Sequence, residues 1–265
     1  IAGQKEPVID MPTRFVDFMR VLVPMAGDDT TPEGEQVNIY GNHVGSWNFA
    51  ATAYLNRWKV KIYYEHYFDD HSQMFFQYGR WKDGHIGLEI TFPKNRFIDT
   101  FVYEGLGTKD QTGPMLYDSF WGKFEEQISA KDNYYNHYLY QGWQHWGMGI
   151  GNPLLPGPIY NKNGQITFIS NRVLAHHIGF CGSPCQSLSY RMLLSYSRHW
   201  GTYDNPLNEI KKQFNSLFEV TYAPQQLKGW SFTVSGAMDR GSMLGNNYGG
   251  MLVIRKQGII KSGNK

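Results

Sequence analysis

No run of 18 apolar residues occurs anywhere in this chain of 265 residues, so it contains no segment of the kind that crosses a bilayer as a helix. Charge is sparse. Charged residues make up 18% of the sequence, the net charge is +2, and the basic side chains are dispersed rather than clustered, which argues against nucleic acid as a partner. Cysteine is nearly absent: only Cys181 and Cys185 occur, in the string CGSPC. That is too few soft ligands for a zinc site, and a disulfide would close too short a loop to stabilise much, so the bonded and free states both stay open. The chain opens at Ile1 without Met or a signal segment and soon reaches a strand-like run at Arg14–Pro24. It is therefore expected to be one domain over 1–265 that is incomplete at its N-terminus.

Aromatic residues and glycine are plentiful. Tyr 18, Phe 16 and Trp 8 bring the aromatic share to 16%, beside 29 Gly. Short stretches alternate apolar and polar residues with the two-residue period of a strand. In WKVKIYYEHYF, Trp58, Val60, Ile62, Tyr64 and Phe68 fall on one face, and Lys59, Lys61, Glu65 and Tyr67 on the other. Similar alternation marks Ile86–Phe92, Leu188–Tyr196, Phe214–Tyr222 and Trp230–Val234. Each run is close to the 9–11 residues that a tilted strand needs to span a bilayer. A soluble β-sandwich alternates too, so the connections must separate the two.

About ten strands are predicted, near 14–24, 44–55, 58–68, 85–93, 97–107, 170–181, 187–200, 213–223, 229–239 and 248–258. The turns at Asn56–Arg57, Pro93–Arg96, Gly182–Gln186 and Pro224–Lys228 are short. The connections near 25–43, 69–84, 108–169, 201–212 and 240–247 are longer. Such parity is expected of an all-β, transmembrane antiparallel β-barrel with short periplasmic turns and long extracellular loops, in the outer membrane of a Gram-negative bacterium.

Several long strings resemble a known family. GNHVGSWNFA (41–50), YYEHYFDDHSQMF (63–75), WKDG (81–84), TKDQTGP (108–114), DNYYNH (132–137), GWQHWGMGIGNPLL (142–155), SNRVLAHHIG (170–179), SYSRHWGTYDNP (195–206) and LGNNYGGML (244–252) look like the capsule-assembly Wzi family as found in Bacteroidetes. The resemblance runs over nearly all of 14–260. It implies an outer-membrane barrel of about eighteen strands preceded by a small helical bundle at its periplasmic end, of which this chain would be the C-terminal part. It also implies a non-enzymatic, lectin-like role in attaching capsular or surface polysaccharide to the cell, with outer-membrane lipid, lipopolysaccharide and other envelope proteins as neighbours and no cofactor.

The residues offer three places for chemistry. The loop 108–169 carries Tyr134, Tyr135, His137, Trp143, His145 and Trp146 among Asp132, Asn133, Asn136, Gln141, Gln144 and Asn152. Aromatic planes stack on the C–H faces of sugars, and the polar groups pair with hydroxyls, so this mixture suits a glycan. The same rings can also form the loop's own core. A loop so long, and so rich in Gly, Pro and aromatics over 142–160, is expected to fold inward or cap the barrel mouth, which counts against an open porin. A second cluster, Glu65, His66, Asp69, Asp70, His71 and Ser72, suits sugar hydroxyls, a cation or a hydrogen-bonded anchor. The third set is Asn42, His43 and Ser46 with His176 and His177. It keeps a hydrolase open on condition that a Ser or Asp meets a His in a cleft.

Within strands, Arg14, Arg20, Lys59, Lys61, Arg172, Arg191 and Arg255 are expected mostly on the lumen side, pairing with Glu65, Glu89 and Glu219, because a charge at the lipid midplane costs about 2–4 kcal/mol. The functional expectation is polysaccharide binding at Asp132, Asn133, Tyr134, Tyr135, His137, Trp143, His145, Trp146, Asp69, Asp70 and His71. A channel for small solutes or oligosaccharides and a scaffold subunit of an envelope complex are the alternatives.

Overall fold

The computed structural model describes residues 12–23, 25, 27–31, 36, 40–41, 43–69, 83–95, 97–111, 132–137 and 142–258. The alternating stretches become strands: β1 (Gly45–Leu55), β2 (Trp58–Phe68), β3 (Gly84–Thr91), β4 (Thr100–Gly107), β7 (Val173–Cys185), β8 (Leu188–Gly201), β9 (Pro206–Tyr222), β10 (Trp230–Gly241) and β11 (Asn247–Lys256). They form one sheet of nine in the order β1-β2-β3-β4-β7-β8-β9-β10-β11, and every pair is antiparallel. Between β4 and β7 lies a two-stranded hairpin, β5 (Gln144–His145) with β6 (Met148–Gly149). The all-β antiparallel architecture is the one the alternation requires. Among the described residues β1 and β11 pair only inward, so they are the two edges of an open sheet.

Register carries the two-faced pattern across the sheet. Glu65 sits opposite His85, which sits opposite Leu106. Likewise Glu104 is opposite His177, which is opposite Ser195. All of these point to one side. Trp58, Ile62, Ile86, Phe218, Val234, Leu252 and Ile254 stand exposed on the other side. One cavity touches Ser46 in β1, Asn215 in β9 and Leu244 beyond β10, so the sheet curls with its polar face inside. An apolar convex face and a polar concave one are what a barrel wall in lipid needs. The expected pairing of lumen charges is present at Lys59–Glu89, 3.2 Å, and Arg191–Glu219, 3.3 Å.

Four features differ from expectation. Residues 14–24 are not a strand: Phe15–Leu22 is an α-helix, α1. The backbone N–H of Arg14 donates to the Asp17 carboxylate at 3.0 Å, its guanidinium does so at 3.0 Å as well, and Arg20 and Asp28 complete the cluster. Arg14 and Arg20 therefore serve a helix rather than the lumen. Arg172 lies outside the ladder and stacks on Tyr203, 3.8 Å from the ring centre. Strands β8 and β9 continue past the expected boundary, leaving only 202–205 between them, and 242–246 joins β10 to β11. The long connections at that end are thus 69–83 and 108–172. Finally, β7 runs through CGSPC as far as Cys185 with the turn beyond it, and both cysteines are free.

Candidate functional site

Residues 132–137 and 142–172 fold into a cap over the long-loop end of the sheet. Tyr135, Leu155 and Phe168 bury themselves with Val173 and Ala175 of β7, flanked by Val44, Leu106, Trp143 and Leu154. Asn side chains stand in for strand pairing, since each supplies a donor and an acceptor to the backbone. Asn136 accepts from the Phe168 N–H at 2.8 Å and donates to its carbonyl at 2.9 Å. Asn171 donates to Asn133 at 2.6 Å and to the Tyr134 carbonyl at 2.8 Å. Gln111 receives the Tyr134 N–H at 2.9 Å, and Asn133 reaches Asp204 at 3.1 Å. Below them Asp83, 1% exposed, accepts from the Asp110 N–H and from the Tyr134 hydroxyl, both at 3.0 Å. Burial pushes the Asp83 carboxyl up to about 6, with those two hydrogen bonds opposing the shift. Burial likewise pushes the Tyr135 phenol up.

The β5–β6 hairpin turns at Trp146 (φ 52°) and Gly147 (φ 78°), the double positive-φ geometry of the tight turn favoured in hairpins. The turn throws Trp146 outward, 85% exposed. Trp143, also at positive φ (55°), instead lies flat on Tyr135 with centroids 5.7 Å apart and planes at 15°. Tyr135 is itself at φ 72°. Three non-glycine residues in left-handed conformations within one cap are unfavourable unless the surroundings hold them, and such strain gathers at functional sites. At Gly157 a Cβ would lie 2.6 Å from the Gly147 carbonyl, so only glycine lets the two segments meet there.

Beneath the cap is a cavity of about 970 Å³, lined by the Met148–Gly157 side of the cap and by inward residues of β1–β4 and β7–β9. The Ser46 hydroxyl donates to Glu65 at 2.6 Å. His85 lies 3.8 Å from Glu65 and 3.5 Å from Glu104, and Tyr63 hydrogen-bonds Glu104. His177 Nδ1 shares a hydrogen bond of 2.6 Å with Ser195, and His199 Nε2 one of 2.9 Å with Ser197. Among the described residues no group of three or more His, Cys, Asp or Glu is placed to hold a metal ion.

The sequence candidates separate into two kinds. Asn133, Tyr134 and Tyr135 are framework, their side chains spent on the hydrogen bonds and packing above. His145 and Trp146 stand at the exposed hairpin, where their rings meet edge-on. Asp132 and His137 are half-buried at the cap, and Asp69 follows the end of β2 at the same rim. Asp70 and His71, with Ser72, Asn42 and Gln141, lie outside the described residues. His66, in the second cluster, faces away from Glu65 and is buried, whereas His176 points outward and hydrogen-bonds Tyr103 at 2.8 Å. Sequence reasoning missed Tyr63, His85, Glu104, Ser197, His199, Gln213 and Asn215 as one group. The signal for them is register: each occupies the inward parity of its strand.

The Ser195–His177 contact meets the distance condition for a hydrolase. Ser195, however, is mid-strand with ladders on both sides, to β7 and β9, so its backbone N–H is committed and offers nothing to an oxyanion.

Comparison with known proteins gives no match to any family model and none to any curated protein. Among solved structures, OccK10 (OpdN) of Pseudomonas aeruginosa, an outer-membrane β-barrel, is similar over 83% of this chain and 54% of its own, with 10% identity and a TM-score of 0.45. The chain thus spans about half the length of that protein. At this level of likeness nothing about what OccK10 does comes to this chain.

Proposed function

We propose that this protein is an outer-membrane β-barrel protein of the capsule-assembly Wzi type, with its long-loop end outside the cell, that binds surface or capsular polysaccharide and helps hold it there without chemical turnover. The observation that carries the reading is the cap: a strained, aromatic, hydrogen-bonded loop domain that raises Trp146 and His145 into solvent above a cavity whose largely apolar wall is set with polar groups. An exposed indole offers a stacking face for a sugar ring. The cavity below, about 970 Å³ and at the upper end of what encloses a drug-sized ligand, has hydroxyl, carboxylate, imidazole and amide groups to pair with sugar hydroxyls. Family resemblance supplies the polysaccharide class; the cap supplies a surface suited to it.

The cap lies across the concave face, which weighs against the channel alternative. Hydrogen exchange of the intact detergent-purified protein, with and without the producing organism's capsular polysaccharide, tests the proposal. Slower exchange confined to the hairpin 142–152 and the rim near Asp69 is the expected result. Unchanged exchange at saturating polysaccharide would overturn it.

A further inference from the structure

Lys59 and Arg191 on the concave face, and Arg14 and Arg20 at α1, are each held by a carboxylate. At the long-loop rim of the convex face the cations have no such partner. Lys109, Arg172, Arg198, Lys212 and Arg240 form no ion pair with any described residue.

Register gathers these side chains. Arg198 of β8 stands directly opposite Lys212 of β9, and Tyr196 opposite Phe214, which in turn faces Arg240 of β10. Every second residue of a strand returns to the same face, so the three cations share the convex face with His176, the outward residue opposite Tyr196. Trp200 draws in a fourth: the Lys109 ammonium lies 5.0 Å and the Arg198 guanidinium 5.3 Å from its ring centre. Arg172 donates from Nε to the Lys109 carbonyl at 3.1 Å and stacks on Tyr203. Glu209 of β9 has the opposite parity to Lys212, and the Asp204 carboxylate accepts from Asn133.

Like charges directly opposite each other in an antiparallel pair destabilise a sheet. Arg198 against Lys212 is such a pair, and no described carboxylate relieves it. An anion seated on the cluster would. Guanidinium forks and ammonium groups suit phosphate oxygens, and aromatic planes hold two of the guanidinium groups in place.

Position selects the source of that phosphate. Along the same convex face the apolar side chains Ile178, Leu194, Met192 and Phe218 come first, then the row Tyr103, His176, Tyr196 and Phe214, then Arg198 and Lys212. Apolar band, aromatic row and cation row follow the order of acyl chains, interface and headgroups. We infer that Lys109, Arg172, Arg198, Lys212 and Arg240 form a binding site for the headgroup phosphates of a phosphorylated outer-leaflet lipid. The cluster lies outside the cap and its cavity, so a polysaccharide held there does not occupy it. The inference rests on the membrane reading above, and the test separates the two.

The test reconstitutes the full chain in phosphatidylcholine vesicles, checks insertion by flotation, and offers diphosphorylated lipid A or the same lipid stripped of its phosphates. Mass spectrometry of protein released in mild detergent counts the lipid retained. Wild type, and Lys228→Gln at the short-turn end, should retain the phosphorylated form about tenfold better, and Arg198→Gln/Lys212→Gln should lose that preference. Without lipid A the double variant should melt no lower than wild type, because a repulsive pair has gone. If it melts lower, Lys109→Gln/Arg240→Gln takes its place, with the same loss expected. Equal retention of both lipids by wild type, or an unchanged preference in the variant, overturns the site and leaves the membrane reading standing. So does retention abolished by an equal concentration of inorganic phosphate or soluble polygalacturonate, which would make the ligand a free anion or an acidic polymer. Wild type that fails to float with the vesicles overturns both.

Discussion

Tyr134 donates its hydroxyl to Asp83 at 3.0 Å across 51 residues of sequence, with both side chains buried, and so fastens the cap to the foot of β3. Asp83 binds its proton more tightly in the folded protein than in the unfolded chain, with its carboxyl raised to about 6. Its contribution to cap stability is fully present below about pH 4 and is lost as pH rises through about 6, on the order of 2–3 kcal/mol in all.

Asp83→Asn should remove that pH dependence. Tyr134→Phe takes a hydrogen bond from the carboxylate form and should move the transition to higher pH. Hydrogen exchange of the 133–136 amides between pH 4 and 8, compared with wild type, reads both. A cap whose exchange follows the same pH profile in wild type and Asp83→Asn would contradict the assignment.

Trp143 and Trp146 should separate stability from binding. Trp143→Ala strips the ring stacked on Tyr135 and should destabilise the cap by about 3–5 kcal/mol if it behaves as a core aromatic, or less to the extent that it is half-buried. Trp146→Ala, at the exposed tip, should leave unfolding within ~0.5 kcal/mol of wild type. Protease susceptibility of the cap in the folded barrel checks the contrast.

The two faces of the sheet predict opposite tolerances. Val234→Arg on the convex face should cost about 2–4 kcal/mol in a bilayer, less if the site lies near an interface. Thr221→Lys, on the concave side opposite Thr233, should cost little, since a lumen cation keeps contact with water. Urea unfolding of each variant in lipid vesicles reads the difference. Equal costs would contradict the face assignment.

Gly87 is a tighter constraint. A Cβ there would sit 2.0 Å from the Tyr63 ring, so Gly87→Ala should push that ring off Glu104 and loosen the Glu104–His85 pairing beneath the cap. Gly105→Ala, whose added carbon would meet Ile86 at 3.4 Å, is the mild control. Comparing their thermal unfolding in detergent tests whether Tyr63 packs as described.

Much of the sheet was legible because a strand between lipid and lumen must alternate, and Trp58–Phe68 does so over most of its length, with His66 the polar exception on the apolar face. Phe15–Leu22 was read as a strand although Phe15, Phe18 and Leu22 share one helical face and Arg14–Asp17 and Asp17–Arg20 are i, i+3 ion pairs: the stripe spans only two turns, and the ion-pair cluster is completed by Asp28, outside the run. The reach of β8 and β9 was hidden because Asn208, Glu209, Lys211 and Lys212 make the outer end of β9 polar on both faces, as a strand beyond the bilayer can be. The chemistry-bearing loop was legible as a glycan-like composition. Which of its aromatics are framework was not, because Tyr134, Tyr135 and Trp143 differ from Trp146 only in what they pack against. The lumen group around Glu104 and His85 required register, which brings together strands whose sequences show no common motif.

The measurement that tests the central claim most directly is equilibrium binding of the intact, detergent-purified protein to the producing organism's own capsular polysaccharide, with Trp146→Ala alongside. Saturable binding by wild type, weakened about three- to tenfold in a Trp146→Ala protein that stays folded, is the predicted result, in line with the loss of one aromatic stack. A folded wild-type protein that does not bind would contradict it.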